Sequence, residues 1–162
     1  MSTFERILVP VDGSGPSEDA VALAVRLASD LRAALTFCHV VDREAIVAQY
    51  VAVPYGDAGP SLEYAHDEAE RLLKDAAEKA GRAGIETQTK LLEGPSVEKI
   101  VALCEEEHFD LIVMGSHGRR GLARMFMGSV AEGVLRIAAV PVLVVRRPGA
   151  DAPNTGREGG KK

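Results

Sequence analysis

The sequence predicts an open α/β fold: a parallel β-sheet covered by helices on both faces and joined by right-handed crossovers. Three observations predict it. Short apolar runs alternate five times with stripes of helical spacing. The first, fourth and fifth runs are apolar at every position, as strands buried on both faces are. Gly, Pro and Asp mark the points where one period gives way to the other.

Ile7-Leu8-Val9-Pro10-Val11 is too short for a helix and ends at Asp12-Gly13-Ser14-Gly15, so it reads as the first strand. Pro16 suits a first helical turn, and Ala20, Val21, Ala24, Val25, Leu27, Ala28 and Leu31 form one helical stripe behind it. Ala34 to Val41 is the second strand, stopped at Asp42. Arg43 to Gly59 has no clean period and reads as a long connection, mobile without a ligand. Leu62, Ala65, Ala69, Leu72, Leu73, Ala76 and Ala80 restore helical spacing, with Gly81 and Gly84 at the end. Ile85 to Leu92 is a strand whose polar positions Glu86, Gln88 and Lys90 imply a wet face or edge. Gly94-Pro95-Ser96 opens a helix carrying Val97, Ile100, Val101 and Cys104. Leu111 to Met114 is the fourth strand, Val130 to Ala138 the last helix and Pro141 to Val145 the last strand. Strand order is not readable from this pattern.

Composition narrows the function. Lys plus Arg is 19 against 24 for Asp plus Glu, a net charge of −5 with no basic block, so nucleic acid is not an expected partner. With 46% hydrophobic and 27% charged residues the chain suits one globular domain, expected over residues 1–146 with a disordered tail over 147–162. No apolar run approaches the ~20 residues of a membrane helix, and the N-terminus lacks the apolar stretch of a signal peptide. Cys38 and Cys104 form no CxxC pair and read as buried free thiols, which suits a reducing cytoplasm.

In folds of this class ligands bind at the carboxyl ends of the strands. The richest such segment is Gly115-Ser116-His117-Gly118-Arg119-Arg120-Gly121, followed by Gly128-Ser129 at the start of a helix. Glycines let backbone N–H groups turn inward as an anion nest, a helix N-terminus adds free donors, and Arg119, Arg120 and Arg124 add positive charge. Together they describe a phosphate cradle. Other readings stand beside it: turn glycines, solvated loop arginines, and a capping box in Ser129-Val130-Ala131-Glu132. Asp12 before Gly13 also suits a plain Asx turn, and Pro10 sits oddly inside an apparently central strand. Neither a Walker sequence nor a strict GxGxxG is present. His39 and His117 have no partner at metal-ligand spacing, and His66 and His108 read as surface residues on helices.

Gly115-x-x-Gly118, nine residues and then Gly128-Ser129 resemble the nucleotide-binding signature of the universal stress protein family. Ile7 to Ser14, His39-Val40-Val41-Asp42 and Pro141 to Val145 resemble that family's first strand, second strand end and last strand. The resemblance implies a five-stranded parallel sheet in the order 3-2-1-4-5, with ATP or AMP at the switch point between strands one and four. It places Asp12 on the ribose, Pro10 and Val11 in the pocket wall, the Val40 backbone on the adenine edge and Met114 near the nucleoside. Gly115, His117, Gly118 and Arg119 would follow the phosphates, and Gly128, Ser129 and Val130 would close over them. Mg2+ or Mn2+ would accompany the phosphates. The resemblance also implies a homodimer through Pro141 to Val145. The expected function is therefore an ATP-binding, cytoplasmic stress-response regulator with no catalytic residues. The alternatives are a slow ATPase or phosphotransferase, and a dimeric interaction module that needs no nucleotide.

Overall fold

The computed structural model describes residues 4–51, 62–117 and 127–146. In chain order the elements are β1 (Arg6–Pro10), α1 (Gly15–Leu31), β2 (Ala34–Val41), α2 (Arg43–Val51), α3 (Leu62–Arg82), β3 (Thr87–Glu93), α4 (Ser96–Glu106), β4 (Leu111–Gly115), α5 (Ser129–Ile137) and β5 (Val142–Val145). The strands form one sheet in the order β3-β2-β1-β4-β5, and every neighbouring pair is parallel. The strand period of two divides the core into two layers. Ile7 and Val9 of β1 and Leu111 and Val113 of β4 pack with Ala20, Ala24 and Ala28 of α1 and Leu73 and Ala76 of α3. Leu8, Ile112 and Met114 face the other way, onto Ile100 and Cys104 of α4 and Ala131 and Val134 of α5.

Edges differ from the centre. β3 has no fully buried residue along its length, which accounts for its polar positions. β5, apolar throughout, is only half-buried, with Leu143 exposed. An apolar run thus predicted strand correctly and full burial incorrectly, because β5 has a neighbour on one side only.

Pro10 has a physical explanation. β1 pairs with β2 as far as Pro10↔Cys38, but with β4 only at Ile7↔Leu111 and Leu8↔Ile112. The missing proline N–H therefore falls where β1 and β4 have already parted. That parting opens a crevice at the point where the crossovers leave in opposite directions.

Two local expectations need correction. The segment after Asp42 is helical through Val51 rather than an irregular connection. Asp42 is the reason: its Oδ1 accepts the Ala45 N–H at 2.9 Å and its carbonyl accepts the Ile46 N–H at 3.0 Å, an N-cap pattern. Residues 52–59, the rest of that expected loop, lie outside the described residues, as does the expected tail over 147–162. His108 is exposed but lies beyond the end of α4, in the left-handed conformation with φ 54°. His66 does lie on a helix, where it meets Glu93 at 3.2 Å.

Candidate functional site

A cleft of about 960 Å³ opens over the carboxyl ends of β1, β2 and β4. Ten residues expected from the sequence line it together. Pro10, Val11 and Asp12 come from the end of β1, Val40 from β2, and Met114, Gly115 and His117 from the end of β4. Gly128, Ser129 and Val130 come from the start of α5. Gly118 and Arg119, with Arg120, Gly121 and Arg124, lie outside the described residues.

Asp12 does form the Asx turn. Its Oδ1 accepts the Ser14 N–H at 2.9 Å, and Gly13 takes φ 76° to complete the bend. The Asp12 N–H donates to Ser17 Oγ at 3.1 Å, while Ser14 caps α1 by accepting the Ser17 N–H at 3.3 Å. This network fixes the carboxylate at the crevice, and Oδ2 takes no part in the turn. Turn and ligand readings are therefore compatible.

At the end of β2 the ladder with β1 closes with the Val11 N–H donating to the Cys38 carbonyl at 2.8 Å. Alternate residues present their backbone groups to the same side, so Val40 carries its N–H and C=O past the end of that ladder. Between them, His39 Nδ1 donates to the Val11 carbonyl at 2.7 Å and ties the two strand ends together.

The β4 end is held from three sides. The Ser116 N–H donates to the Val145 carbonyl at 2.8 Å, and the Gly128 N–H donates to the Ser116 carbonyl at 2.7 Å. Ser14 Oγ donates to the His117 carbonyl at 3.2 Å, which links the start of α1 to the same turn. The His117 ring lies 2.9 Å from Ser116 Oγ through Nδ1. Its Nε2 is buried and makes no hydrogen bond among the described residues. Gly115 has a packing reason that sequence reasoning missed. A Cβ there would lie 2.7 Å from the Pro16 carbonyl carbon and the Ser17 nitrogen, so α1 begins directly against it.

α5 starts one residue earlier than its capping-box sequence implies. Gly128 is the N-cap, no side chain caps the helix, and Ser129 is already its first residue. Glu132 cannot reach back as a box requires; its carboxylate bonds Arg136 at 2.8 Å instead. The first-turn N–H groups of α5 are thus left to solvent or to a ligand, with the positive end of the helix dipole beside them.

The far wall was not foreseen. Ala45 and Ile46 of α2, Tyr64, Ala65 and Glu68 of α3, and Ser96, Val97 and Glu98 of α4 line the same cleft. Cys38 also lines it, and burial, with a smaller contribution from Cys104, pushes its thiol up to about 12. Cys104 is pushed up too, by burial first and then by Glu105 and Asp110. Both stay protonated near neutral pH, so neither is an activated nucleophile. Among the described residues the cleft carries the carboxylates of Asp12, Asp42, Glu68 and Glu98 and no Lys or Arg. The described residues also hold no cluster of three or more metal-ligating side chains, and no described helix is long and apolar enough to cross a membrane.

Comparison with known proteins places these features in context. The sequence model of the universal stress protein family matches residues 3–146. The universal stress protein MJ0531 of Methanocaldococcus jannaschii is 36% identical over 146 residues, covering 90% of this chain and 84% of that protein. The structure of the hypothetical protein MJ0577 superposes with a TM-score of 0.76 at 26% identity, over 90% of this chain and 97% of the other. A universal stress protein from Archaeoglobus fulgidus, solved in complex with dAMP, shares the fold with a TM-score of 0.64 at 23% identity, over 88% and 98% of the two chains.

Proposed function

The chain belongs to the universal stress protein family, and on that premise we propose that it binds ATP or AMP in the cleft over β1 and β4. It acts as a nucleotide-dependent, cytoplasmic stress-response regulator built on a domain of residues 1–146, with 147–162 as its tail. One observation carries the reading: the turn-fixed Asp12 carboxylate and the uncapped start of α5 line the same cleft. A ribose hydroxyl suits the first and a phosphate the second. The Val40 backbone matches an adenine edge, with Pro10, Val11 and Met114 around the nucleoside. Gly115, His117, Gly118 and Arg119 follow the phosphates toward Gly128, Ser129 and Val130. A described wall of four carboxylates without a Lys or Arg favours entry of a triphosphate together with Mg2+ or Mn2+. The dAMP-bound relative belongs to the same nucleotide class.

Denaturing the purified protein releases an adenine nucleotide, and calorimetry on the stripped protein gives a micromolar Kd, about −8 kcal/mol. Protein that carries and binds no adenine nucleotide is instead the nucleotide-independent interaction module.

Hydrolysis is slow. Rapid phosphoryl transfer needs a positioned water and donors aimed at charge that develops in the transition state. The described phosphate end offers backbone amides and no carboxylate; Asp12 stands on the nucleoside side. Phosphate release at saturating Mg·ATP runs at about one per minute or less, against the common enzyme range of about 1–10³ per second. Turnover above about one per second that is lost with Asp12→Ala identifies an enzyme.

The same chain forms a homodimer through β5. Leu143 on this edge strand is 38% exposed, and Leu135 and Ile137 on the neighbouring α5 are 42% and 50% exposed. An apolar edge of this kind invites strand pairing. Light scattering at micromolar concentration gives twice the 17.2 kDa chain mass, and Leu143→Lys shifts it to the monomer. A monomeric wild type rejects this interface.

A further inference from the structure

We propose that Tyr64 is the residue that stacks on the base of the bound nucleotide, a specificity role that no glycine or strand-end motif contains. The inference rests on the nucleotide reading of the cleft and goes beyond it. Tyr64 lies in the first turn of α3. The buried stripe of that helix is Ala69, Leu73, Ala76 and Ala80. Extending the stripe backward by one turn gives Ala65, not Tyr64. Core packing therefore does not explain a large aromatic at this position, and Tyr64 is 54% exposed.

Its exposed ring is part of the cleft wall, and among the described lining residues it is the only Phe, Tyr or Trp. Ile46 and Val97 add aliphatic surface to the same cleft. Tyrosine suits a base because its flat ring covers apolar area at small conformational cost. A stack of one base on one aromatic ring adds affinity for any base and reads little of its edge, so it selects ligands that carry a base over those that do not. The edge is then left to the Val40 backbone, and Tyr64 supplies the face. The ligand selected is a planar heterocycle joined to phosphate, not phosphate or a sugar phosphate alone.

The test compares ATP with inorganic tripolyphosphate, by calorimetry, on wild type, Tyr64→Ala and Tyr64→Phe. Removing the ring weakens ATP binding about tenfold or more, the change one stack contributes. Tyr64→Phe keeps the ring and stays within about twofold of wild type, while tripolyphosphate binds all three proteins alike. ATP binding to Tyr64→Ala at wild-type strength overturns the assignment and leaves the nucleotide site standing. An equal loss of ATP and tripolyphosphate also overturns it, since that marks general damage to the cleft. A wild type that binds no adenine nucleotide overturns both readings together.

Discussion

Gly115→Ala destabilises the protein by about 1–3 kcal/mol, the usual cost of forcing atoms into a packed site. The added methyl meets backbone, not a flexible side-chain tip: its ideal position is 2.7 Å from the Pro16 carbonyl carbon and the Ser17 nitrogen. That backbone cannot retreat freely. Ser17 is bonded to Asp12 and Ser14, and Ser14 is bonded to the His117 carbonyl. The start of α1 therefore shifts as a unit and takes Asp12 with it. Thermal unfolding falls by roughly 2–4 °C per kcal/mol for a chain of this size. Nucleotide affinity falls as well at temperatures where the variant is folded. A variant with wild-type melting temperature means that α1 does not press on Gly115. Unchanged stability with lost binding returns the glycine to the role of giving a ligand access to the backbone.

Asp12→Ala weakens adenine-nucleotide binding about 10–100-fold, matching the roughly 1.5–3 kcal/mol of a hydrogen bond to a charged group. The substitution also removes the acceptor of the Ser14 N–H, so about 1 kcal/mol of stability goes with it. Asp12→Asn separates the two effects. It keeps an oxygen for the turn and restores stability, but it presents a neutral amide to the ribose and recovers only part of the affinity. The sharpest check is a nucleotide with a dideoxy ribose. It binds wild type weakly and loses little more with Asp12→Ala, because the hydroxyl that the carboxylate serves is already gone. An equal further loss on both ligands moves Asp12 away from the ribose.

These two positions also show how far local sequence carries. Asp12 was legible because a carboxylate after an apolar run and before Gly13 has two uses, a turn and a strand-end ligand, and both leave the same mark. Gly115 was legible as a strand-end glycine but not for its main constraint. Its close neighbours, Pro16 and Ser17, lie about a hundred residues away in sequence. The α5 cap was missed by a single residue, since Ser129 and Glu132 have capping-box spacing whether or not Ser129 begins the helix. α2 was missed because its apolar residues keep no period; the usable signal was Asp42 as an N-cap.

The sequence alone determined the strand–helix alternation, the parallel sheet class and the strand-end residues that meet at one crevice. Those depend on period and punctuation, which are properties of near neighbours along the chain. Strand order came from the family resemblance, and the described structure bears it out. Only the tertiary structure decided the far wall of the cleft. Tyr64 and Glu68 of α3 and Val97 and Glu98 of α4 belong to different crossovers, on opposite faces of the sheet. Val97 also packs against the core under α4, but the helices of Tyr64, Glu68 and Glu98 ask only that these three not be core, so nothing local distinguishes them from solvated residues. They become a wall because β1 and β4 part beyond Leu8 and the two layers overhang the gap between them.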